Sequence, residues 1–79
     1  MENNLSVIKE TFKELPNNIE AEQSVIGSIL VTNEIFDEIN TIISNVNFFD
    51  PMHQKIFNAI ESMIYKGMLA NPITLKNYF

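Results

Sequence analysis

The 79-residue chain contains no cysteine, no tryptophan and no arginine, so its basic side chains are five lysines. Without cysteine there is no disulfide to staple a small fold, no thiol nucleophile and no thiolate metal ligand. Without arginine, the planar forks that grip phosphate and the fingers that neutralise a transferring phosphoryl group cannot come from this chain. A single histidine is too few for a zinc site. Ten acids against the five lysines leave a net charge of −5 and a pI near 4.6. That balance disfavours direct nucleic-acid binding, which needs a basic stripe along the phosphates. No apolar run approaches the roughly 18 residues of a membrane span. The polar start Met1-Glu2-Asn3-Asn4 lacks the positive region of a signal peptide, so a cytoplasmic location and no membrane partner are expected. What the chain does have is 46% hydrophobic and 19% charged residues, a globular composition. Its length is enough for one small core and excludes a two-domain enzyme.

Two glycines and three prolines leave few places to turn. The breaks fall at Pro16-Asn17-Asn18, Val31-Thr32-Asn33, Phe49-Asp50-Pro51 and the stretch from Gly67 to Pro72. Between them the apolar spacing is helical and no segment alternates with period two, so the expected class is all-α, a small helical bundle. A first core helix is predicted from residue 19 to about residue 30, capped by Asn18, with Glu20 and Glu22 at the positive end of its dipole. Ala21, Val25, Ile26, Ile29 and Leu30 share its apolar face, and Gly27 lies on the other side, where a close helix approach is expected. A second helix is predicted over residues 34–43 behind an Asn33 cap, with Ile35, Phe36, Ile39, Ile42 and Ile43 on its buried arc.

The third helix has the strongest punctuation: Asp50 as N-cap, Pro51 at the first helical position and Gly67 as left-handed stop. Met52, Ile56, Phe57, Ala59, Ile60, Met63 and Ile64 cover a wide arc, as expected of a central helix with neighbours on two sides. Asn71-Pro72 starts a fourth helix through Ile73, Leu75, Tyr78 and Phe79, and the pattern stops there as though truncated. Residues 1–15 carry Leu5, Ile8, Phe12 and Leu15 at helical spacing. Isolated helices this short are marginal in water, so a flexible arm is expected ahead of a folded domain over residues 16–79, with a docked arm as the alternative.

No phosphate-binding glycine loop, nucleophile elbow or paired-carboxylate signature is present. Ser24, Ser28, Ser44 and Ser62 have no histidine at a suggestive local spacing. Catalytic, cofactor and metal residues are therefore expected to be absent. Glu22 and His53 are the two oddities, each intruding into an apolar helical face. Both lie in first turns, from which a side chain reaches the rim; the alternatives are a structural Glu22–His53 hydrogen bond closing one end of the bundle, or a catalytic pair. Tyr65 falls on the polar arc of the third helix. It is either one of the single exposed aromatics common on any surface or, with Met68 and Leu69, part of a protein contact patch. Tyr78 and Phe79 extend that candidate interface. Phe48 and Phe49 are expected to plug the core.

The segments IEAEQSVIGSIL, NEIFDEI, NFFDPMHQKIFNAI and KGMLANPITLKNYF, in this order, resemble the N-terminal domain of DnaB-type replicative DNA helicases. The resemblance runs over residues 16–79 without a gap. Its most specific elements are Ala21-Glu22-Gln23 followed by Gly27, the step from Phe48 to His53 into Ile56-Phe57, and Ile73-Thr74-Leu75. The family's commonest pattern has an aspartate two places before the threonine; here Pro72 stands instead, which bears on the cap of the last helix. The resemblance implies an all-α head from a hexameric, ATP-driven helicase. It places ATP and Mg in a C-terminal domain absent from this chain, and a subunit-pairing helical hairpin after residue 79. Such a head would be a non-catalytic collar and docking module for primase, neighbouring subunits and a helicase loader. Two other readings remain beside it. One is the helicase-binding domain of a primase-like protein, against which a domain directly following Met1 counts. The other is a free-standing helical interaction or DNA-binding module.

Overall fold

Four helices built from these punctuation marks pack around one aromatic-centred core, in a computed structural model that describes residues 18–79. The arm expected over residues 1–15 lies outside the described residues. Helix α1 is Ile19–Val31, α2 is Phe36–Asn40, α3 is Pro51–Tyr65 and α4 is Pro72–Tyr78. Short 3-10 turns at Asn33–Ile35 and Asn45–Asn47 precede α2 and α3, and there is no strand among the described residues. The all-α expectation holds.

Each start follows from local chemistry. The Asn18 side chain accepts from the Ala21 amide at 2.9 Å, which caps α1. The Asp50 carboxylate does the same for Met52 at 2.8 Å, with Pro51 needing no partner at the first position of α3. Asn71 accepts from the Ile73 and Thr74 amides, while the Thr74 hydroxyl accepts from the Asn71 amide, a reciprocal capping box. Pro72 therefore leaves the cap of α4 intact. α3 ends as its glycine demands: Gly67 has φ +76°. Its amide reaches the Ile64 carbonyl at 3.0 Å and the Met68 amide reaches Met63 at 2.8 Å. That pair of bonds is a Schellman motif, and a side chain at Gly67 would strain it.

The core is Val25, Ile26 and Ile29 from α1, Phe36 and Ile39 from α2, Phe57, Ala59, Ile60 and Met63 from α3, with Ile43, Phe48, Ala70 and Leu75 closing it. Phe57 is its hub, with ring centroids 5.4 Å from Phe36 and 5.1 Å from Phe48. Helix α3 packs against both α1 and α4, the central role its wide apolar arc implies.

Four expectations need correction. The second helix does not run over residues 34–43: a 3-10 turn leads into five α-helical residues. The β-branched run Thr41-Ile42-Ile43 ends it, with the Thr41 hydroxyl donating back to the Glu38 carbonyl at 2.6 Å. Ile43 still reaches the core, but Ile42 is left half-exposed. Asn33 is not a helix cap, because its side chain is engaged elsewhere, as described below. Gly27 permits no close approach, since a Cβ built there meets nothing within 4 Å. Met52 and Phe49 do not enter the core; they are 56% and 63% exposed.

Candidate functional site

Two features stand out from the core: a buried polar tie at one end of α3 and an apolar surface at the other. The tie begins with Glu22, which is fully buried in the first turns of α1. Its carboxylate accepts from the Phe49 amide at 2.6 Å and from the Asp50 amide at 3.3 Å. It also meets His53 Nδ1 at 2.8 Å. A carboxylate can only accept, so Nδ1 is the ring nitrogen that carries the proton in this bond. Glu22 thus lies against the N-terminal ends of two helices, α1 and α3, where unpaired amides and the helix dipoles favour negative charge.

The loop it holds is gripped from the other side as well. The Gln54 side chain donates to the Phe48 carbonyl at 2.7 Å. The Phe48 ring sits edge-on to His53, with centroids 6.4 Å apart. Glu22 and His53 are therefore not rim residues: both are buried, and each polar atom of this cluster that is shut away from solvent has a partner. The geometry is that of a structural junction, with Glu22 fully buried and His53 nearly so.

A second polar junction was not legible in the sequence. The Asn33 side chain pairs with the backbone of Ala70, its Nδ2 donating to the carbonyl and its Oδ1 accepting from the amide, both at 2.8 Å. Nδ2 also donates to the Ile29 carbonyl at 2.8 Å, so one amide group ties the end of α1 to the segment that enters α4. An asparagine between two apolar helical patterns reads as a cap, and no local signal distinguishes a long-range clasp.

At the far end of α3 the apolar surface is open. Tyr65 is 72% exposed, Leu69 63% and Met68 49%, and α4 adds Tyr78 and Phe79, whose rings meet edge to face at 5.3 Å. Met63, Met68, Thr74, Asn77 and Tyr78 line a shallow depression of about 210 Å³ between the end of α3 and α4. Ile73, which the sequence reading assigned only to the fourth helix, is also 71% exposed and enlarges the apolar end. No three potential metal ligands gather among the described residues. No helix among them is long and apolar enough to cross a membrane.

The residues of the tie are those that carry the resemblance, and wider comparison agrees with it. The family model described as DnaB-like helicase N terminal domain matches residues 14–79. The chain is 48% identical over 63 residues to the replicative DNA helicase DnaB of Rickettsia typhi, covering 80% of this chain and 13% of the relative. It is 42% identical over 72 residues to the replicative DNA helicase DnaB of Buchnera aphidicola subsp. Baizongia pistaciae, covering 91% of this chain and 16% of the relative. The chain thus spans 13% to 16% of the length of these curated relatives. No solved structure matches. These relatives are named as helicases, which sets the primase-like reading aside. Four helices locked by Glu22 at one end and by Asn33 at the other are how this sequence builds the matched region, and the chain belongs to the DnaB-like helicase N-terminal domain family.

Proposed function

We propose that this chain is the non-catalytic head of a replicative helicase subunit, and that the apolar end formed by Tyr65, Met68, Leu69, Tyr78 and Phe79 is where it docks other proteins. The exposure of these large apolar side chains, with Met68 and Tyr78 lining the depression between α3 and α4, carries the reading, because exposed apolar surface marks interaction sites. The partners proposed are primase and neighbouring helicase subunits, with a loader as a further candidate. ATP and Mg would be handled by the remainder of a full-length helicase. This chain brings neither arginine nor a glycine-lysine phosphate loop to that chemistry. Its acidic surface likewise favours protein over nucleic-acid partners.

The test is capture of purified primase by the immobilised 79-residue chain, beside a Tyr65→Asp/Leu69→Asp variant whose fold is checked by circular dichroism. The expected result is saturable retention of primase by the chain and at least a tenfold loss in the folded variant. Equal retention by both would place the docking surface elsewhere. Salt-sensitive DNA binding or ATP hydrolysis by the purified chain would overturn the non-catalytic, protein-docking role.

A further inference from the structure

Residues 66–71, which join α3 to α4, carry Met68 and Leu69 onto the apolar end of the molecule. Exposed connections are ordinarily the mobile part of a fold. This one is tied at nearly every step. From Lys66 to Asn71, each backbone amide except that of Leu69 donates to an acceptor among the described residues. The bonds at its two ends are local. Lys66, Gly67 and Met68 reach back to the last turn of α3, and Asn71 reaches the Thr74 hydroxyl inside its own capping box. Ala70 differs, because both its amide and its carbonyl are taken by Asn33, 37 residues away in the turn between α1 and α2.

Asn33 is therefore the long-range polar anchor of this connection. It is held in its turn, since the two protons of Nδ2 go to the Ala70 and Ile29 carbonyls, at 2.8 Å each. The apolar attachment on this side is thin: α4 has seven residues and buries one of them, Leu75, with Ala70 buried ahead of it. A helix that short has little stability of its own and takes its direction from what holds it. α4 supplies Thr74, Asn77 and Tyr78 to the depression, whose other lining is Met63 and Met68. The placement of one wall against the other thus depends on the clasp at Ala70, and Met68 and Leu69 are the two residues directly before it.

We infer that Asn33 is the positioning residue of the proposed docking surface, holding Met68, Leu69 and α4 in the arrangement a partner meets. The inference rests on the docking reading for its use and on the clasp for its geometry. A surface ordered in advance binds without the cost of immobilising its own side chains on contact. Asn33 is not one of the apolar side chains assigned to that surface, so its removal acts on affinity through shape.

The test uses the full 79-residue chain with isotope-labelled methionine methyl groups. Met63 and Met68 report on the depression, and Met52 reports on the opposite end of α3. In Asn33→Ala the Met63 and Met68 signals are expected to move or broaden, with Met52 unchanged. Gln54→Ala removes a comparable side-chain-to-backbone bond at the other end and should leave Met63 and Met68 where they are. Retention of purified primase should fall about fivefold or more in Asn33→Ala and stay at the parent level in Gln54→Ala. Should Asn33→Ala fail to fold, the unaltered chain supplies a second measure: backbone order parameters at Met68 and Leu69 near the value of about 0.85 found in rigid backbone. Unmoved Met63 and Met68 signals in folded Asn33→Ala, equal movement in Gln54→Ala, or order parameters below about 0.6 would overturn the inference. So would undiminished retention by folded Asn33→Ala of a primase that the parent retains. A parent that retains no primase overturns the docking reading instead, and the methyl signals and order parameters still decide whether Asn33 shapes this surface.

Discussion

Glu22 costs the fold a buried charge, and its three hydrogen-bond partners offset that cost only as a set. Removing one member leaves buried polar groups unpaired, so single substitutions should not add. A double-mutant cycle of Glu22→Gln and His53→Phe, read by chemical denaturation, should return a coupling of about 0.5–3 kcal/mol. Coupling within about 0.3 kcal/mol of zero would mean that the two side chains act independently. The hub of the core behaves differently. Phe57 is 1% exposed and its ring meets those of Phe36 and Phe48 at a tilt of 40°, so Phe57→Ala leaves a cavity beside two other rings. Its cost should be about 3–5 kcal/mol, a large part of the stability of so small a domain, and a thermal midpoint within a degree or two of the parent would refute the core assignment.

At the scale of elements, Gly27 gives the sharpest test, because the sequence suggested one role for it and the packing shows another. A glycine inside an amphipathic helix reads as a point of close approach, but the space around Gly27 is open. Gly27→Ala should therefore stabilise the chain by about 0.5–1 kcal/mol through helix propensity alone, measurable as a raised denaturation midpoint. The contrast shows what is legible in such a sequence. Helices α1, α3 and α4 could be placed to within a residue or two, because Asn18, Asp50-Pro51, Gly67 and Asn71-Pro72 act on neighbouring backbone. Helix α2 could not. Its apolar period is that of a longer helix, but α-helical structure ends at Asn40, ahead of the β-branched run. The partner of Glu22 could be named as a possibility from two misplaced polar residues, whereas the clasp of Asn33 could not, since its 37-residue separation from Ala70 leaves no trace in local spacing. The apolar end at Tyr65, Met68 and Leu69 was visible because Tyr65 breaks the polar arc of the third helix and Met68 and Leu69 follow just beyond its end. Its extension through Ile73 was not, because the direction α4 takes is set by packing.

For the whole molecule, the exposed apolar surface has to be weighed against net charge. A handful of side chains around a shallow depression falls short of the roughly 1,200 Å² at which specific interfaces become stable, and five net negative charges repel a second copy at low salt. Light scattering of the 79-residue chain at about 10–200 μM, a range that brackets micromolar affinity, should give a mass near 9.1 kDa throughout. A stable higher oligomer would show that these 79 residues alone carry an assembly interface. The clasp between Asn33 and Ala70 has a consequence in time rather than in stability. Closing a 37-residue loop carries an entropic cost of about 3 kcal/mol, which two or three hydrogen bonds alone do not overcome. The clasp must therefore close after α1 and α3 have packed, as a late step that sets α4 in place. In stopped-flow experiments Asn33→Ala should leave the folding rate nearly unchanged and speed unfolding, so that the residue governs how long the native state lasts rather than how fast it forms.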